Sequence, residues 1–208
     1  MANKNIYIIG IGHNSAVTIE LAELNGYNIV GLIHYNDDLT GTTKWGYPII
    51  ASTKKFLEDD VALKCFALSM GDNKTRQEIF YLLKNKNAKI PPLVHPSASV
   101  SRFVDISDGV QIHANVTVQP DVTILENSII SYGVGISHNV TISSNCYIAC
   151  HSLIGAYTII EDNVLIGMGT TTVSGKVPSI GSNTIIGAGS LVINSIPNHS
   201  KVYGRPAK

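Results

Sequence analysis

The sequence predicts an α/β plus β protein: a small parallel α/β domain followed by a parallel β-helix of hexapeptide repeats. Three observations lead there. Strand-like and helix-like patterns alternate through residues 1 to 93, an aliphatic residue then recurs at every sixth position, and charge is shared unevenly between the two stretches. Residues 1 to 93 carry 19 of the 30 charged side chains, leaving 11 for residues 94 to 208. Two domains with different surfaces are expected, 1–93 and 94–208, joined near Pro91, Pro92 and Pro96.

Asn5 to Ile9 is a short apolar run that ends in Gly10-Ile11-Gly12, and Asn14 to Asn25 then has helical spacing in Val17, Leu21 and Leu24, closed by Gly26. Asn28 to Ile33 repeats the strand signal, Lys64 to Met70 gives another, and Lys74 to Lys86 follows as a helix with Ile79, Leu82 and Leu83 on one side. Right-handed crossovers put the Gly10, His34 and Gly71 ends of three strands along one edge, where open α/β sheets bind ligands. A dinucleotide is a poor fit to that edge. His13 to Ser15 offers no third glycine, and His34 stands where an acid would hold a ribose diol.

The second segment repeats. From Val94 an aliphatic residue returns at 100, 106, 112, 118, 124, 130, 136, 142, 148, 154, 160 and 166, and a small or β-branched residue follows each by four positions, as at Ala98, Ser128, Cys146 and Thr170. Thr172 fills the next slot, the stretch Gly175 to Pro178 adds two residues, and the rhythm resumes at Ile180, Ile186 and Val192. A strand alternates faces every two residues, so a six-residue rung makes one flat side and a corner, and three sides close a coil in 18 residues. Stacked coils bury the aliphatic residues in ladders and pair backbone groups between rungs, which leaves few places for charge.

Composition closes off other classes. Charged residues make up only 14% of the chain, and fifteen basic residues balance fifteen acidic ones, so a phosphate-backbone or anionic-membrane partner is not expected. The start MANKNIYIIGIG lacks the long apolar core and cleavage site of a signal peptide, and no apolar run reaches 18 residues, so a cytoplasmic protein is expected. Cys65, Cys146 and Cys150 are an odd number without metal-type spacing, which fits a reducing compartment and no bound metal.

With IIGIG near the start, GDNKTR at 71 to 76, VHPSA at 94 to 98, ISHN at 136 to 139 and VYGRPAK at 202 to 208, the chain resembles the bacterial hexapeptide-repeat sugar acyltransferases. These include nucleotide-amino-sugar N-acetyltransferases and a sialic-acid O-acetyltransferase-like group. The resemblance implies a Rossmann-like nucleotide-sugar-binding domain over 1–93 and a left-handed parallel β-helix acyltransferase domain over 94–208. It further implies a homotrimer, and acetyl-CoA held between neighbouring helices. The activity implied is acetyl transfer to a nucleotide-linked amino sugar in surface polysaccharide or glycan biosynthesis.

Residue by residue, His138 matches the family's general base, and imidazoles, which titrate near 6.5, suit proton removal at neutral pH. Asn139 stands where the family commonly has an acid; an amide orients the ring without stabilising imidazolium as a carboxylate does. Tyr147 replaces a second family histidine near the CoA, and His151 stands ready to take over that role, with Cys150 beside it. Ala156 matches the glycine whose amide holds the oxyanion, Met168 and Ala188 match positions lining the pantetheine channel, and Lys201, Arg205 and Lys208 are candidates for the CoA phosphates. For the acceptor, the resemblance points to His13, Asn14, Ser15, His34, Tyr35 and Gly71, with Asp37 and Asp38 displaced from a family acid pair.

Three rivals stay open on the sequence. An O-acetyltransferase on a sugar or sialic acid would use the same residues, and a non-catalytic trimeric scaffold would use none. A zinc-dependent γ-type carbonic anhydrase needs three converging histidines, but His113, His138 and His151 fall at unrelated phases of the 18-residue coil.

Overall fold

The computed structural model describes residues 4–208. Met1, Ala2 and Asn3, part of the stretch read for a leader, lie outside the described residues. Among the described residues no helix is long and apolar enough to cross a membrane. The chain divides into two compact units, one ending at Leu93 and the other running from Val94 to Lys208.

The first unit is built from β1 (Asn5–Ile9), α1 (Ser15–Leu24), β2 (Asn28–His34), β3 (Thr43–Lys44), β4 (Tyr47–Ser52), α2 (Thr53–Glu58), β5 (Cys65–Leu68) and α3 (Asn73–Asn85). The strands order as β3-β4-β2-β1-β5, parallel except for the β3–β4 hairpin. Strands buried on both faces need continuous apolar runs, and β1 and β2 have them. Ile6, Ile8 and Leu32 pack with Ile19, Leu21 and Ala22 of α1 on one face. Ile9, Ile33 and Leu68 pack with Phe56 of α2 and with Phe80 and Leu83 of α3 on the other. α3 begins on Asp72, whose carboxylate accepts from the Thr75 amide at 2.8 Å and is thereby held below the ordinary carboxylate range. The elements β3, β4 and α2 answer to no signal picked out in the sequence. A proline inside a short apolar run argues against a strand, yet Pro48 sits one residue before the register with β2, which starts at Ile49.

The second unit is a left-handed parallel β-helix with three faces. The first face stacks Ser99–Val100, Thr117–Val118, Gly135–Ile136, Leu153–Ile154, Thr171–Thr172 and Leu191–Val192. The second runs from Asp105–Ile106 to Ser179–Ile180, and the third from Val94, the first residue of this unit, to Lys201–Val202. Partners are 18 residues apart, as in Thr117↔Gly135, until the register steps by 20 at Ile159↔Ser179, Leu165↔Ile185 and Thr171↔Leu191. The extra residues sit in the Gly175 to Pro178 loop, and the ladders close again beyond it.

Each six-residue rung turns at a corner with positive φ. Between Gly109 and Gly189 that slot holds glycine, asparagine or aspartate at every corner but two, His151 (φ +57°) and Tyr157 (φ +62°). Asparagine and glycine tolerate this left-handed conformation, whereas a bulky side chain in it is strained. Inside, the aliphatic ladder is closed to solvent: Ile130, Ile148 and Ile166 are fully buried, and so is Cys146 in a small-residue slot. Replacing Ile148 by alanine removes one link of the ladder and is expected to cost about 2–5 kcal/mol in urea unfolding. A cost below about 1 kcal/mol would show that the ladder collapses around the gap instead of holding it open.

Candidate functional site

In the first unit, a cavity of about 330 Å³ opens at the carboxyl ends of β1, β2 and β5. Gly10, Gly12, His13, Asn14, His34, Tyr35 and Gly71 all line it, together with Ile11, Ser69 and Met70. The loop that shapes it is tightly tied. Gly10 has φ +101°, and a Cβ there would meet Ser69 Oγ at 2.7 Å. Ser15 does not reach the cavity: it is fully buried, with its hydroxyl 2.8 Å from Ser69 Oγ, accepting from the Gly12 amide and donating to Gly10 O. On the far side the buried Arg76 guanidinium donates to the carbonyls of Met70 (3.1 Å) and Gly71 (3.4 Å), so the motif arginine fixes the cavity wall from behind.

His34 is 6% exposed, and its Nδ1 accepts the Asn36 amide at 3.1 Å. The ring proton therefore sits on Nε2, as a donor. Tyr35, 85% exposed, packs its ring 4.2 Å from that imidazole. Asp37 and Asp38 are exposed and do not line the cavity, and the Lys55 ammonium on Asp37 holds its carboxyl below the ordinary range. The cavity wall has no acidic side chain. At its rim α1 starts on Asn14 without a side-chain cap and without an acid in its first turn, leaving the positive end of the helix uncompensated.

In the second unit, His138 and Asn139 form the corner between the first and second faces. Both are exposed. His138 Nδ1 lies 2.8 Å from Asn139 Oδ1, and its backbone amide donates to Gln119 Oε1 at 3.0 Å. An amide oxygen has no proton to give, so Nδ1 is the donor, and in the neutral ring Nε2 keeps its lone pair. Asn139 thus does two jobs that the sequence does not separate, filling a positive-φ corner and setting the tautomer of its neighbour. One coil on, the ring of Tyr157 stands 5.2 Å from the His138 ring at 87°.

Ala156 lies in register with His138 and Ser174 follows in the same column. Its amide is engaged: it donates to Ser174 Oγ at 3.0 Å. Ser174 also lines a groove of about 370 Å³ on the first face, which runs from Thr117 past Gly135 and Leu153 and ends beside the His138 corner at Gln119, Ser137 and Gly155.

The other candidates sit elsewhere on the coil. Tyr132, Cys150, His151, Met168 and Ala188 belong to the corner between the third and first faces, a full face away from His138 within one chain. His151 lies over Gly133, where a Cβ would come within 2.5 Å of its Nδ1, and its ring meets Tyr132 at 5.0 Å and 90°. The Cys150 thiol is buried and hydrogen-bonded to the Tyr132 hydroxyl, which pushes that phenol above its ordinary range. Met168 is 58% exposed and Ala188 is exposed above it. Tyr147 lies half-buried on the third face, and Lys201, Arg205 and Lys208 are exposed at the end of the chain. Among the described residues no cluster of histidine, cysteine and acid is placed to hold a metal ion.

Several neighbours of these residues escape the sequence reading. Gln119 and Tyr157 reach His138 because each lies 19 residues, about one coil, from it, and Ser174 reaches the Ala156 amide because it lies one coil beyond that residue. The repeat period carried that signal: positions one coil before and after a candidate base share its corner.

Two families match the chain, PglD N-terminal domain over residues 5–83 and bacterial transferase hexapeptide (six repeats) over residues 103–138. Among solved structures, the acetyltransferase domain of PglB from Neisseria gonorrhoeae FA1090 is 26% identical with a TM-score of 0.90, covering 99% of each chain. The same domain in complex with acetyl coenzyme A is 25% identical with a TM-score of 0.90, covering 100% of this chain and 99% of that one. A variant of perosamine N-acetyltransferase from Caulobacter crescentus, in complex with CoA and GDP-perosamine, is 25% identical with a TM-score of 0.73 over 100% and 97%. A search of curated proteins found no match.

Proposed function

The chain belongs to the bacterial hexapeptide-repeat sugar acyltransferases, and from that premise we propose that it transfers acetyl from acetyl-CoA to the amino group of a nucleotide-linked sugar destined for a surface polysaccharide or glycan. The observation that carries this most is the end-to-end likeness to an acetyltransferase domain that also exists as an acetyl coenzyme A complex. The first-unit cavity holds the nucleotide sugar, with the bare N-terminus of α1 and the Gly12 to Asn14 turn facing its phosphates and the His34 Nε2 proton facing an acceptor atom.

In the second unit His138 is the base. With Nδ1 given to Asn139, Nε2 takes the proton from the acceptor nitrogen as that nitrogen attacks the thioester carbonyl. The Ala156 amide receives the developing oxyanion once the Ser174 hydroxyl turns aside, and the CoA sulfur departs as the leaving group. No covalent enzyme intermediate is involved, since Cys150 bonds to a phenol and lies a full face from His138. Because Met168, Ala188 and His151 sit one face away from His138, acetyl-CoA touching both groups must lie between two copies, which supports a homotrimer as the acting form.

Ser174 offers a direct check. Replacing it by alanine frees the Ala156 amide, and turnover is expected to hold or rise. A loss of about 10²- to 10³-fold would instead make the Ser174 hydroxyl the oxyanion donor.

The reading as a whole is tested with purified protein, acetyl-CoA and a panel of UDP-, GDP- and dTDP-linked amino sugars, following release of free thiol. One amino-sugar nucleotide is expected to support turnover. O-acetyl transfer to a sugar hydroxyl is the second reading, favoured by the absence of any carboxylate in the cavity wall to attract a cationic amine. Turnover confined to hydroxyl acceptors would select it, and thiol release with no acceptor at all would overturn both.

A further inference from the structure

We propose that Tyr157 is a positioning residue that holds the His138 imidazole in the orientation needed for proton removal, an inference that rests on the reading of His138 as the base. Two independent features single out this side chain. The first is its backbone. Tyr157 sits at φ +62° in a corner slot that glycine, asparagine and aspartate fill elsewhere in the coil, His151 and His199 excepted. A large side chain in the left-handed region carries a strain that asparagine or glycine would relieve. Folding gives no reason for it, since Tyr157 is 62% exposed and absent from the buried ladder. A strained, exposed aromatic ring at a corner points to a job done by the ring.

The second feature is the ring's partner. The Tyr157 amide approaches the His138 carbonyl at 3.3 Å, which sets the two corners one above the other, and the rings meet at 5.2 Å and 87°. That distance and angle suit an edge-to-face pair. His138 is exposed, so nothing buried confines its ring. The Asn139 bond fixes one ring atom, and a single hydrogen bond at an exposed site leaves the imidazole free to swing about that atom. Contact with a second ring removes that freedom. Asn139 thus chooses the tautomer, and Tyr157 aims Nε2. The hydroxyl plays no part in this, so phenylalanine serves as well as tyrosine.

The experiment compares Tyr157→Asn, Tyr157→Phe and His138→Ala with the unaltered protein. Asparagine is the residue other corners use, so Tyr157→Asn keeps the fold, with an unfolding midpoint equal to or above that of the parent. Its kcat is expected to fall roughly tenfold, part of the 10²- to 10⁴-fold that a positioned base supplies, with KM for both substrates within about twofold. Tyr157→Phe restores kcat. Independently of turnover, the imidazole carbon-bound protons of His138, assigned in NMR spectra by their loss in His138→Ala, are expected to lose their ring-current shift in Tyr157→Asn and keep it in Tyr157→Phe. Parental kcat with an unchanged His138 shift in Tyr157→Asn overturns the proposal, and so does a phenylalanine variant as slow as the asparagine one, which would assign the effect to the hydroxyl. Full turnover by His138→Ala refutes the base rather than the packing, which the NMR shift still reports.

Discussion

Replacing His138 by alanine is expected to lower acetyl transfer by about 10²- to 10⁴-fold, the contribution of a positioned general base, and to leave the unfolding midpoint where it was. Both halves follow from the same geometry. The imidazole is exposed and outside the buried ladder, so its loss opens no cavity. Its one side-chain hydrogen bond runs to the equally exposed Asn139, so no buried partner is stranded. The effect should fall on kcat, with KM for the nucleotide sugar little changed, because proton removal takes place in the transition state and the cavity proposed for the nucleotide is in the other unit. Steady-state kinetics with free-thiol detection measures it. A variant that turns over at the parental rate would falsify the assignment of the base, and the acid-free cavity together with the Ser174-capped amide would then have to support some other chemistry.

Stability is expected to fall by about 3 kcal/mol between pH 6.5 and pH 4 through His113 alone. This histidine is almost fully buried on the third face, its amide donates to Ile130 O at 2.9 Å, and its Nε2 has no hydrogen-bond partner among the described residues. Burial, with a smaller push from His95, lowers its pKa from 6.5 to about 4. Between those two values the unfolded chain takes up a proton that the folded chain refuses, so protons favour unfolding as the pH drops. At about 1.4 kcal/mol per pH unit over the interval of roughly 2.5 units, the loss is complete near pH 4, and above pH 6.5 the group adds no slope. Carboxylates titrate in the lower part of the same window, so the informative quantity is a difference. His113→Leu, an apolar side chain of similar size, should show urea midpoints with a flatter slope between pH 4 and 6.5. Parallel slopes in parent and variant would show that His113 is protonated in the fold.

The order of elements in the first unit was legible wherever an apolar run stood beside a glycine turn, as at Asn5 to Gly12 and Asn28 to His34. It failed between 35 and 63, where Pro48 broke the run that becomes β4 and no periodic pattern announced α2. The cavity followed from topology: once the strands are parallel with right-handed crossovers, the ends at Gly10, His34 and Gly71 must share an edge. Ser15 shows the limit of that argument. It belongs to the correct loop, but only the structure turns its hydroxyl inward to hold the loop together.

What the sequence determined by itself is the coil. An aliphatic residue at every sixth position is buried by stacking the rungs, and the two extra residues before Ile180 become the step from 18 to 20 in the register. The tertiary structure alone decided what stands beside what at the corners. Asn139 on His138, Tyr157 across from it and Ser174 on the Ala156 amide are contacts set by side-chain rotamers at left-handed turns and by stacking across whole coils. Periodicity fixes which backbone positions align, because hydrogen bonding between rungs permits no other register. It does not fix where an exposed side chain points, because that depends on φ at the corner and on the neighbour one coil away, and neither is encoded in any single repeat.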